Sequence, residues 1–438
     1  MTVRVGARRE TTRPSWTAVR AAVARSAAAL AGWLRRPLTS LHLVLGVFGL
    51  LTLFGLVMVL SASSVEAYAA DGSSYAVFAR QVLFCVPGLV LFWLGMRIPP
   101  NRLRALSPAL LVLGVAALVA VLIPGIGTER NGARSWFTIG SISVQPSEVI
   151  KVAFTLWGAH VLAARRAVMH RWRLALSPVV PVGVGLCALL VLQPDLGMAI
   201  SLGMVLVALL YFAGTPMRIM VALVAGALAG AVALGLTANY RISRIAAFLD
   251  PAADPLASGY QARQALYSLA NGGLFGVGLG QGRAKWSYLP NAHNDFIFAI
   301  IGEELGFVGA FAVIALFATL AYTGLRIAAR VTDPWLSLVV ATCTAWLVGQ
   351  AAINIGYVVG LLPVTGLQLP LISSGGTSLV VTMFVFGVLA NAARHEPEAM
   401  AALRAQGQGK LTRLLRLGLP RPYPIPSRER PERQATRT

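Results

Sequence analysis

Long apolar runs, separated by short polar stretches, dominate the pattern of this chain. Ten of the runs can cross a bilayer, because about 20 apolar residues span its hydrocarbon core as a helix. Backbone groups in lipid must be hydrogen-bonded within the segment, so each run is predicted to be a helix. The pattern predicts an all-α polytopic membrane protein with about ten transmembrane helices, whose cores are residues 41–61, 78–97, 105–123, 147–164, 174–192, 196–213, 217–237, 295–322, 335–357 and 378–393.

Composition supports the bilayer as the solvent of this chain. Hydrophobic residues make up 57% of the 438 positions and charged residues only 12%, whereas a soluble domain has about 25% charged residues. The three cysteines, Cys85, Cys187 and Cys343, lie apart from one another inside apolar runs. Their spacing indicates neither a disulfide framework nor a metal site. A water-soluble globular domain is excluded.

The distribution of positive charge predicts the orientation. The net charge is +21, and most Lys and Arg residues fall in the tails and inner loops when the N-terminus is cytoplasmic. Because positive loops stay inside, both termini are predicted to be cytoplasmic, on either side of a membrane domain at residues 41–395. Residues 1–40 form a basic N-terminal tail. Residues 396–438 form a basic tail that is predicted to be disordered and could bind partners or membrane lipid. This placement does not favour nucleic-acid binding.

Two outer segments are long, residues 124–146 and the large extracytoplasmic loop 238–294 between helices 7 and 8. Long loops and polar residues within spans both tend to be functional. The first segment holds Arg134 and leads to Glu148 and Lys151, which share one helix face because they are three residues apart. Glu148 and Lys151 could form a buried structural ion pair, or Lys151 and Arg134 could neutralise an anionic substrate group. The pattern favours neither.

Two further polar stretches lie between predicted spans. Residues 193–197 form a tight turn with one carboxylate, Asp195, for which helix capping is the favoured interpretation. Residues 363–378 are uncharged and rich in Gly, Ser and Thr. That segment could be re-entrant and supply backbone N–H groups to a head group, or it could be a plain outer loop. Its candidate binding residues are Ser373, Gly375 and Gly376.

A glycine-dense stretch, residues 272–282, is followed by basic, aromatic and acidic residues. It fits neither a Rossmann fingerprint nor a P-loop, because no strand-to-helix context follows. Arg283 and Lys285 suit a diphosphate, and a merely flexible loop is the alternative. Asp295 begins the eighth predicted span at the membrane surface, where it is the best-placed carboxylate to meet an outside head group.

Two carboxylates, Glu303 and Glu304, lie deeper in the same span, about 12–14 Å beyond Asp295 at 1.5 Å per residue. Carboxylates at that depth need partners or water. We expect them to be structural and to pair with Lys151. Three glycines of this span recur at helical spacing and predict a face for close helix packing, namely Gly302, Gly306 and Gly309.

At these residues the sequence resembles the SEDS family of cell-wall polymerases, the FtsW/RodA family. The resemblance covers roughly residues 40–395. Within the family the segment 291–306 is most similar to the division member FtsW in its actinobacterial form, although Asn294 and Thr365 depart from the usual Thr and Lys. The motifs that carry it are Gly132-Ala133-Arg134-Ser135-Trp136, Gln145-Pro146-Ser147-Glu148 with Lys151, Gln193-Pro194-Asp195 with Gly197, Leu289-Pro290 with Ala292-His293 and Asp295-Phe296, and Pro370-Leu371-Ile372-Ser373 with Gly375-Gly376.

The resemblance implies the SEDS fold and a peptidoglycan glycosyltransferase that polymerises lipid II into glycan strands. The growing glycan on undecaprenyl diphosphate is the donor, and the 4-hydroxyl of lipid II is the acceptor. Asp295 is implied as the catalytic general base, and His293 as a binding residue beside it. Basic residues would stabilise the leaving diphosphate, and a divalent cation, Mg or Mn, could share that role without a visible ligand cluster. The implied binding residues are Arg134, Glu148, Lys151, Asp195, Arg283, Lys285, His293, Ser373, Gly375 and Gly376.

The resemblance also implies partners and a location. They are a class B penicillin-binding transpeptidase, FtsI-like, other divisome proteins, and the plasma membrane at the division septum, where cell-wall biogenesis determines cell shape. Three other functions stay open. They are a lipid II flippase, a RodA-like polymerase of cell elongation, and a non-catalytic scaffold of the division complex.

Overall fold

The computed structural model describes residues 36–422 except 131, 141, 169–175, 236–257, 287–288, 290–291 and 408–409, together with a few positions between 20 and 34. Most of the N-terminal tail, the first part of the loop 238–294 and residues 423–438 therefore lie outside the described residues. The predictions for those segments stay predictions.

A helix lies over each of the ten predicted runs. Six of the helices in the described part of the chain are long and apolar enough to cross a membrane by length and composition, and others are shorter and apolar. The prediction of a polytopic, mostly helical membrane protein is confirmed. The ten helices are α1 Thr39–Asp71, α2 Ala76–Arg97, α3 Pro100–Ala120, α4 Pro146–Ala164, α5 Val179–Leu192, α6 Leu196–Phe212, α7 Met217–Gly235, α9 Ile297–Arg330, α10 Pro334–Val358 and α11 Gly376–Arg394.

Small residues let the helices approach closely at the centre of the bundle. A Cβ added at Gly387 of α11 would lie 2.1 Å from the backbone oxygen of Phe92 in α2. Phe92 also stacks on Phe48 of α1, with ring centroids 4.3 Å apart. Lipid supplies no hydrophobic driving force between helices, so such van der Waals contact carries their association. The three helices α1, α2 and α11 thereby form one packed unit.

A small antiparallel sheet was not predicted. Strands β1 Thr128–Arg130, β2 Ala133–Ile139 and β3 Ile142–Val144 pair in the order β1-β2-β3. The all-α prediction is wrong for this outer segment. Strands β1 and β3 have only three residues each, too few to show an alternating pattern. The loop between α7 and α9 likewise contains a helix, α8 Ser258–Gly272, which packs on α9.

The C-terminal segment is ordered over part of its length. Helix α12 Pro397–Gln406 and the short helix α13 Lys410–Leu414 follow α11, and Leu417 is buried. The prediction of disorder from residue 396 is wrong for the described part. The composition of the segment did not indicate this order. The segment is held by hydrogen bonds to its backbone oxygens, which are the same for every residue type. We call residues 410–422 the C-terminal strap.

Helix α9 is broken at Gly306, whose φ of 68° and ψ of −164° are not helical. The backbone of the glycine-dense stretch fills the break. Phe307 N donates to Gly273 O at 2.9 Å, and Val277 N donates to Glu303 O at 3.0 Å. These bonds replace the helical ones that the break removes. This stretch is therefore neither a flexible loop nor a simple packing face, because its backbone fills the break in α9. We call residues 272–282 the plug.

Glycine is required at the centre of the plug. Gly306 and Gly276 both have positive φ, which favours glycine. A Cβ added at Gly306 would lie 2.3 Å from Gly276 N. The plug ends directly before Arg283 and Lys285, so it positions the chain that leads to Asp295.

Candidate functional site

Asp295 lies two residues before the start of α9 and is half-buried. Its backbone oxygen accepts hydrogen bonds from Asn354 Nδ2 at 2.9 Å and from Tyr357 Oη at 2.8 Å, both on α10. The same two atoms also lie 2.7 and 2.8 Å from Leu367 O, so the single hydroxyl hydrogen of Tyr357 is shared between the two carbonyl oxygens. Asn354 and Tyr357 therefore clamp the backbone of Asp295 and the loop between α10 and α11 to one place on α10.

The loop between α10 and α11 separates Asp295 from the turn that begins α6. Gly366 has a φ of 74°, and a Cβ built on it would lie 3.7 Å from Asp295 Oδ2. On the other side, a Cβ added at Gly197 would lie 2.5 Å from Thr365 O. The loop is thus held closely between the candidate catalytic carboxylate and the Asp195 turn.

Asp195 caps α6, as predicted. Its Oδ1 accepts from Met198 N at 3.2 Å, and its Oδ2 accepts from Gln145 Nε2 at 3.0 Å. Burial raises the pKa of Asp195 above the usual value, and the hydrogen bond from Met198 N–H opposes that rise. The turn joins the start of α4, through Gln145, to the start of α6.

Glu148 and Lys151 form a buried ion pair, with Nζ 3.0 Å from Oε2. The ammonium of Lys151 also lies 3.4 Å from Ser201 Oγ and from Gln350 Oε1, and 4.7 Å over the ring of Trp346. The buried structural ion pair, one of the two interpretations that the sequence left open, is therefore present. The expected pairing of Lys151 with Glu303 or Glu304 is wrong.

The Lys151 pair is connected to the loop beside Asp295. Gln350 Nε2 donates to Gln368 O at 2.9 Å, while its Oε1 faces Lys151. Lys151 is fully buried. It therefore acts on the Asp295 loop through Gln350 and not through its own surface.

Lys285 is buried in an ion pair with Glu304, at 3.1 Å. Its Nζ also donates to Gly280 O at 2.7 Å, and Ser61 Oγ donates to Glu304 Oε2 at 2.6 Å. The neighbouring Glu303 accepts the backbone N–H of Arg283 at 3.0 Å. The deep carboxylates thus hold the chain before Asp295, and Lys285 belongs to that structural network. The side chain of Arg283 is exposed.

His293 connects the outer end of α1 to the start of α11. Its Nδ1 lies 3.1 Å from Glu66 Oε2, and its backbone oxygen accepts from Ser374 N at 3.0 Å. Sequence reasoning missed Glu66. The signal was a carboxylate one turn beyond the apolar part of the first run.

The remaining predicted binding residues lie apart from one another or serve local packing. Ser373 Oγ accepts from Leu369 N at 2.8 Å within its own turn. A Cβ added at Gly375 would meet Gln368 Oε1, and one at Gly376 would meet the ring of Phe84. Arg134 lies on β2, where its guanidinium is 3.8 Å from Glu129.

Four buried polar oxygens in the framework around Asp295 have no hydrogen-bond partner among the described residues. Buried polar atoms are normally satisfied, so each such group calls for an explanation. Sequence reasoning missed Asn354 of α10, although a polar residue inside an apolar run was the available signal. The atoms are Asn294 Oδ1, Asn354 Oδ1, Thr365 Oγ1 and Gln368 Oε1.

No group of three His, Cys, Asp or Glu side chains comes together as a metal site within the part of the chain that the structure describes. The divalent cation shared with a diphosphate stays a prediction.

Comparison with known proteins gives one consistent family. The family model described as cell cycle protein, FtsW/RodA/SpoVE, matches residues 41–398. The chain is 52% identical over 430 residues to the protein of Mycobacterium tuberculosis named "Probable peptidoglycan glycosyltransferase FtsW", covering 95% of this chain and 82% of that one. It is 40% identical to stage V sporulation protein E of Bacillus subtilis, covering 82% of this chain and 98% of that one.

Solved structures with the same fold support this result. A chain from a structure described as the coordination of polymerization and crosslinking by a peptidoglycan synthase complex superposes with a TM-score of 0.64 and 29% identity, covering 78% of this chain and 96% of that one. The rod shape determining protein RodA of Thermus thermophilus superposes with a TM-score of 0.59 and 28% identity, covering 83% and 99%.

Proposed function

Because this chain belongs to the FtsW/RodA/SpoVE family, we propose that it is a peptidoglycan glycosyltransferase that polymerises lipid II during septal cell-wall synthesis. The reaction is supported by the 52% identity to proteins named as peptidoglycan glycosyltransferases. The observation that carries the site is the clamped backbone of Asp295. It presents a half-buried carboxylate next to buried oxygens that lack donors.

The proposed mechanism uses Asp295 as a general base. The 4-hydroxyl of the incoming lipid II attacks the anomeric carbon of the growing glycan, and its proton passes to the carboxylate of Asp295. The new glycosidic bond forms as the bond from the anomeric carbon to undecaprenyl diphosphate breaks. Base assistance of this kind contributes roughly 10²–10⁴-fold to the rate. Asn354 and Tyr357 support it because they fix the backbone that carries the base.

The leaving diphosphate requires positive charge. Of the four predicted cations, Lys151 and Lys285 are already paired with buried carboxylates. We therefore assign contact with the diphosphate to the exposed side chain of Arg283, with Arg134 as the second candidate. Lys151 and Glu148 act as positioning residues for the loop beside Asp295.

The partner is proposed to be a class B penicillin-binding transpeptidase, FtsI-like, with other divisome proteins at the septum. The similarity to a chain of a solved peptidoglycan synthase complex supports a crosslinking partner. The greater similarity to proteins named FtsW than to RodA supports the division role over the elongation role. A fluorescent fusion that labels the lateral wall and not the septum would contradict this choice.

The test of the reaction is polymer formation from lipid II. The purified chain with its transpeptidase partner is given lipid II, and glycan strands are separated on a gel. Asp295→Asn keeps the shape of the side chain and the clamped backbone, so we expect the fold to survive and polymer to fall by at least about 10²-fold. Asp71→Asn makes the same change at the exposed end of α1 and should leave polymer unchanged.

Three outcomes would contradict the proposal. Undiminished polymer in Asp295→Asn would remove Asp295 from the mechanism. Absence of polymer in the native chain, together with movement of labelled lipid II across vesicle membranes, would favour the flippase. If neither activity is found while septal recruitment persists, the scaffold function is favoured.

A further inference from the structure

A cavity of about 690 Å³ lies at the end of the bundle opposite Asp295. It is formed where α2 ends at Arg97, where α10 begins at Pro334 and where α11 ends at Arg394. Helix α10 begins beside the cavity at Pro334 and reaches Asn354, which contacts Asp295. The helix between them spans roughly 30 Å at 1.5 Å per residue. The cavity is therefore separate from the candidate active site.

The lining of the cavity carries an excess of positive charge. Its one carboxylate, Asp333, is buried and accepts the backbone N–H of Trp335 at 3.0 Å as a helix cap. An unbalanced group of guanidinium ions attracts an anion, and the planar fork of arginine matches the oxygens of a phosphate. The arginines that line the cavity are Arg97, Arg102, Arg394, Arg404 and Arg421.

The same lining has an apolar part. Met96, Leu336 and Met400 are buried side chains on three different helices, and Leu419 of the C-terminal strap also lines the cavity. A small inorganic anion would gain nothing from contact with these side chains. An amphiphile with a phosphate and an apolar body would use both parts of the lining.

The C-terminal strap forms a fixed wall of this cavity. Trp93 Nε1 donates to Leu415 O at 2.8 Å, and Arg394 Nη2 donates to Gly418 O at 2.6 Å. Arg404 Nη2 donates to Pro420 O at 3.0 Å. The strap is thus held by side chains of α2, α11 and α12 and keeps the cavity open beside the helix ends.

We propose that this cavity binds the phosphate head group of an anionic phospholipid from the cytoplasmic leaflet. The arginines would contact the phosphate, and the start of the acyl chains would lie against Met96, Leu336 and Met400. The positive-inside rule places this arginine-rich end in the cytoplasm. Basic pockets between transmembrane helices on that side suit anionic head groups. The binding does not depend on glycosyl transfer at Asp295.

The test measures lipid binding by the purified full-length chain in a zwitterionic detergent. Native mass spectrometry compares phosphatidylglycerol with phosphatidylcholine of the same chain length. We expect preferential retention of phosphatidylglycerol. Arg102→Gln with Arg421→Gln should weaken that retention about thirtyfold, because each arginine near an anionic lipid contributes about 1 kcal/mol. Arg102→Lys with Arg421→Lys should keep most of it.

The matched control is Arg413→Gln with Arg416→Gln. Both residues are exposed on or beside the C-terminal strap and neither lines the cavity, so the net charge changes equally. Equal loss of lipid in the control pair would show a diffuse surface effect and overturn the site. Competition by millimolar pyrophosphate at equal strength would overturn the lipid as the ligand and indicate a soluble phosphate. Equal retention of phosphatidylcholine would overturn both the arginine site and the anionic lipid as its ligand.

Discussion

At the scale of single residues, buried carboxylates decide which cations remain available to a substrate. Lys151 and Lys285 each lie about 3 Å from a glutamate, inside a membrane domain where an unpaired charge is costly. Each pair also includes a second polar contact, to Gln350 or to Gly280. Both lysines are therefore part of the framework, which is why we propose arginine as the source of the charge offered to a diphosphate.

The Glu148–Lys151 pair makes a stability prediction. Glu148→Gln leaves the Lys151 ammonium buried without its carboxylate, and we expect a loss of roughly 3–5 kcal/mol. Glu148→Gln combined with Lys151→Met removes both charges and should recover part of that loss. Thermal unfolding in detergent measures both variants. A double variant that is less stable than the single variant would contradict the pairing.

Lys285 and Arg283 should respond differently to loss of charge. Lys285→Met leaves Glu304 unpaired, so we expect a lower melting temperature and a loss of roughly 3–5 kcal/mol. Arg283→Gln changes an exposed side chain and should alter stability by less than about 0.5 kcal/mol. It should lower kcat/KM for lipid II about tenfold or more, as expected for a charge-assisted hydrogen bond. Our choice of the diphosphate contact would be refuted if Arg283→Gln lowered stability and not kcat/KM, while Lys285→Met lowered kcat/KM and not stability.

At the scale of elements, the break in α9 and the glycine-dense stretch form one structural unit. The stretch donates and accepts backbone hydrogen bonds at the break, and Glu303 and Glu304 anchor the chain that follows. The unit fixes the entry to Asp295 from the outer loop. Its glycines are present because two backbones meet there without room for a Cβ.

Gly306→Ala tests this unit. An alanine at this position would have to adopt a positive φ, and its methyl group would meet Gly276 N. We therefore expect the free energy of unfolding to fall by at least about 2 kcal/mol. Gly203→Ala in α6 is the matched control, because nothing lies within 4 Å of its added Cβ. That change should be neutral or stabilise the helix by up to about 1 kcal/mol. Equal melting temperatures for the two variants would show that the break does not require glycine.

At the scale of the whole molecule, the two ends of the bundle have separate organisation. One end carries Asp295 and the loop clamped by α10. The other end carries the arginine-lined cavity and the C-terminal strap. About 30 Å of helix α10 lies between them, so a change at one end should leave the local structure of the other intact.

Deletion of residues 408–438 tests this separation. It removes the strap acceptors of Trp93, Arg394 and Arg404. The buried Arg394 then keeps only its bond to Met96 O, so the melting temperature should fall. Polymer formation at low temperature should persist because Asp295 is remote. Deletion of residues 423–438 alone keeps all three acceptors and should leave the melting temperature unchanged. A similar fall in both would contradict the role of the strap.

Several features followed from the sequence alone. The ten helices were predictable because the bilayer sets the length of a span and requires its backbone groups to be hydrogen-bonded. Local hydrophobicity along the chain is then enough to locate them. The Asp195 cap was predictable from a local turn. Asp295 was singled out by its place at a membrane surface and by resemblance. The clamp from Asn354 and Tyr357 was not, because its donors lie some 60 residues away.

The sequence by itself determined that the chain is a membrane protein, where its helices lie and which motifs it carries, because these properties depend on local composition and spacing. Only the tertiary structure decided the partner of each buried charge. Lys285 pairs with Glu304 and Lys151 with Glu148. In a low-dielectric interior every charge must find a partner, and which partner is nearest depends on how distant segments pack.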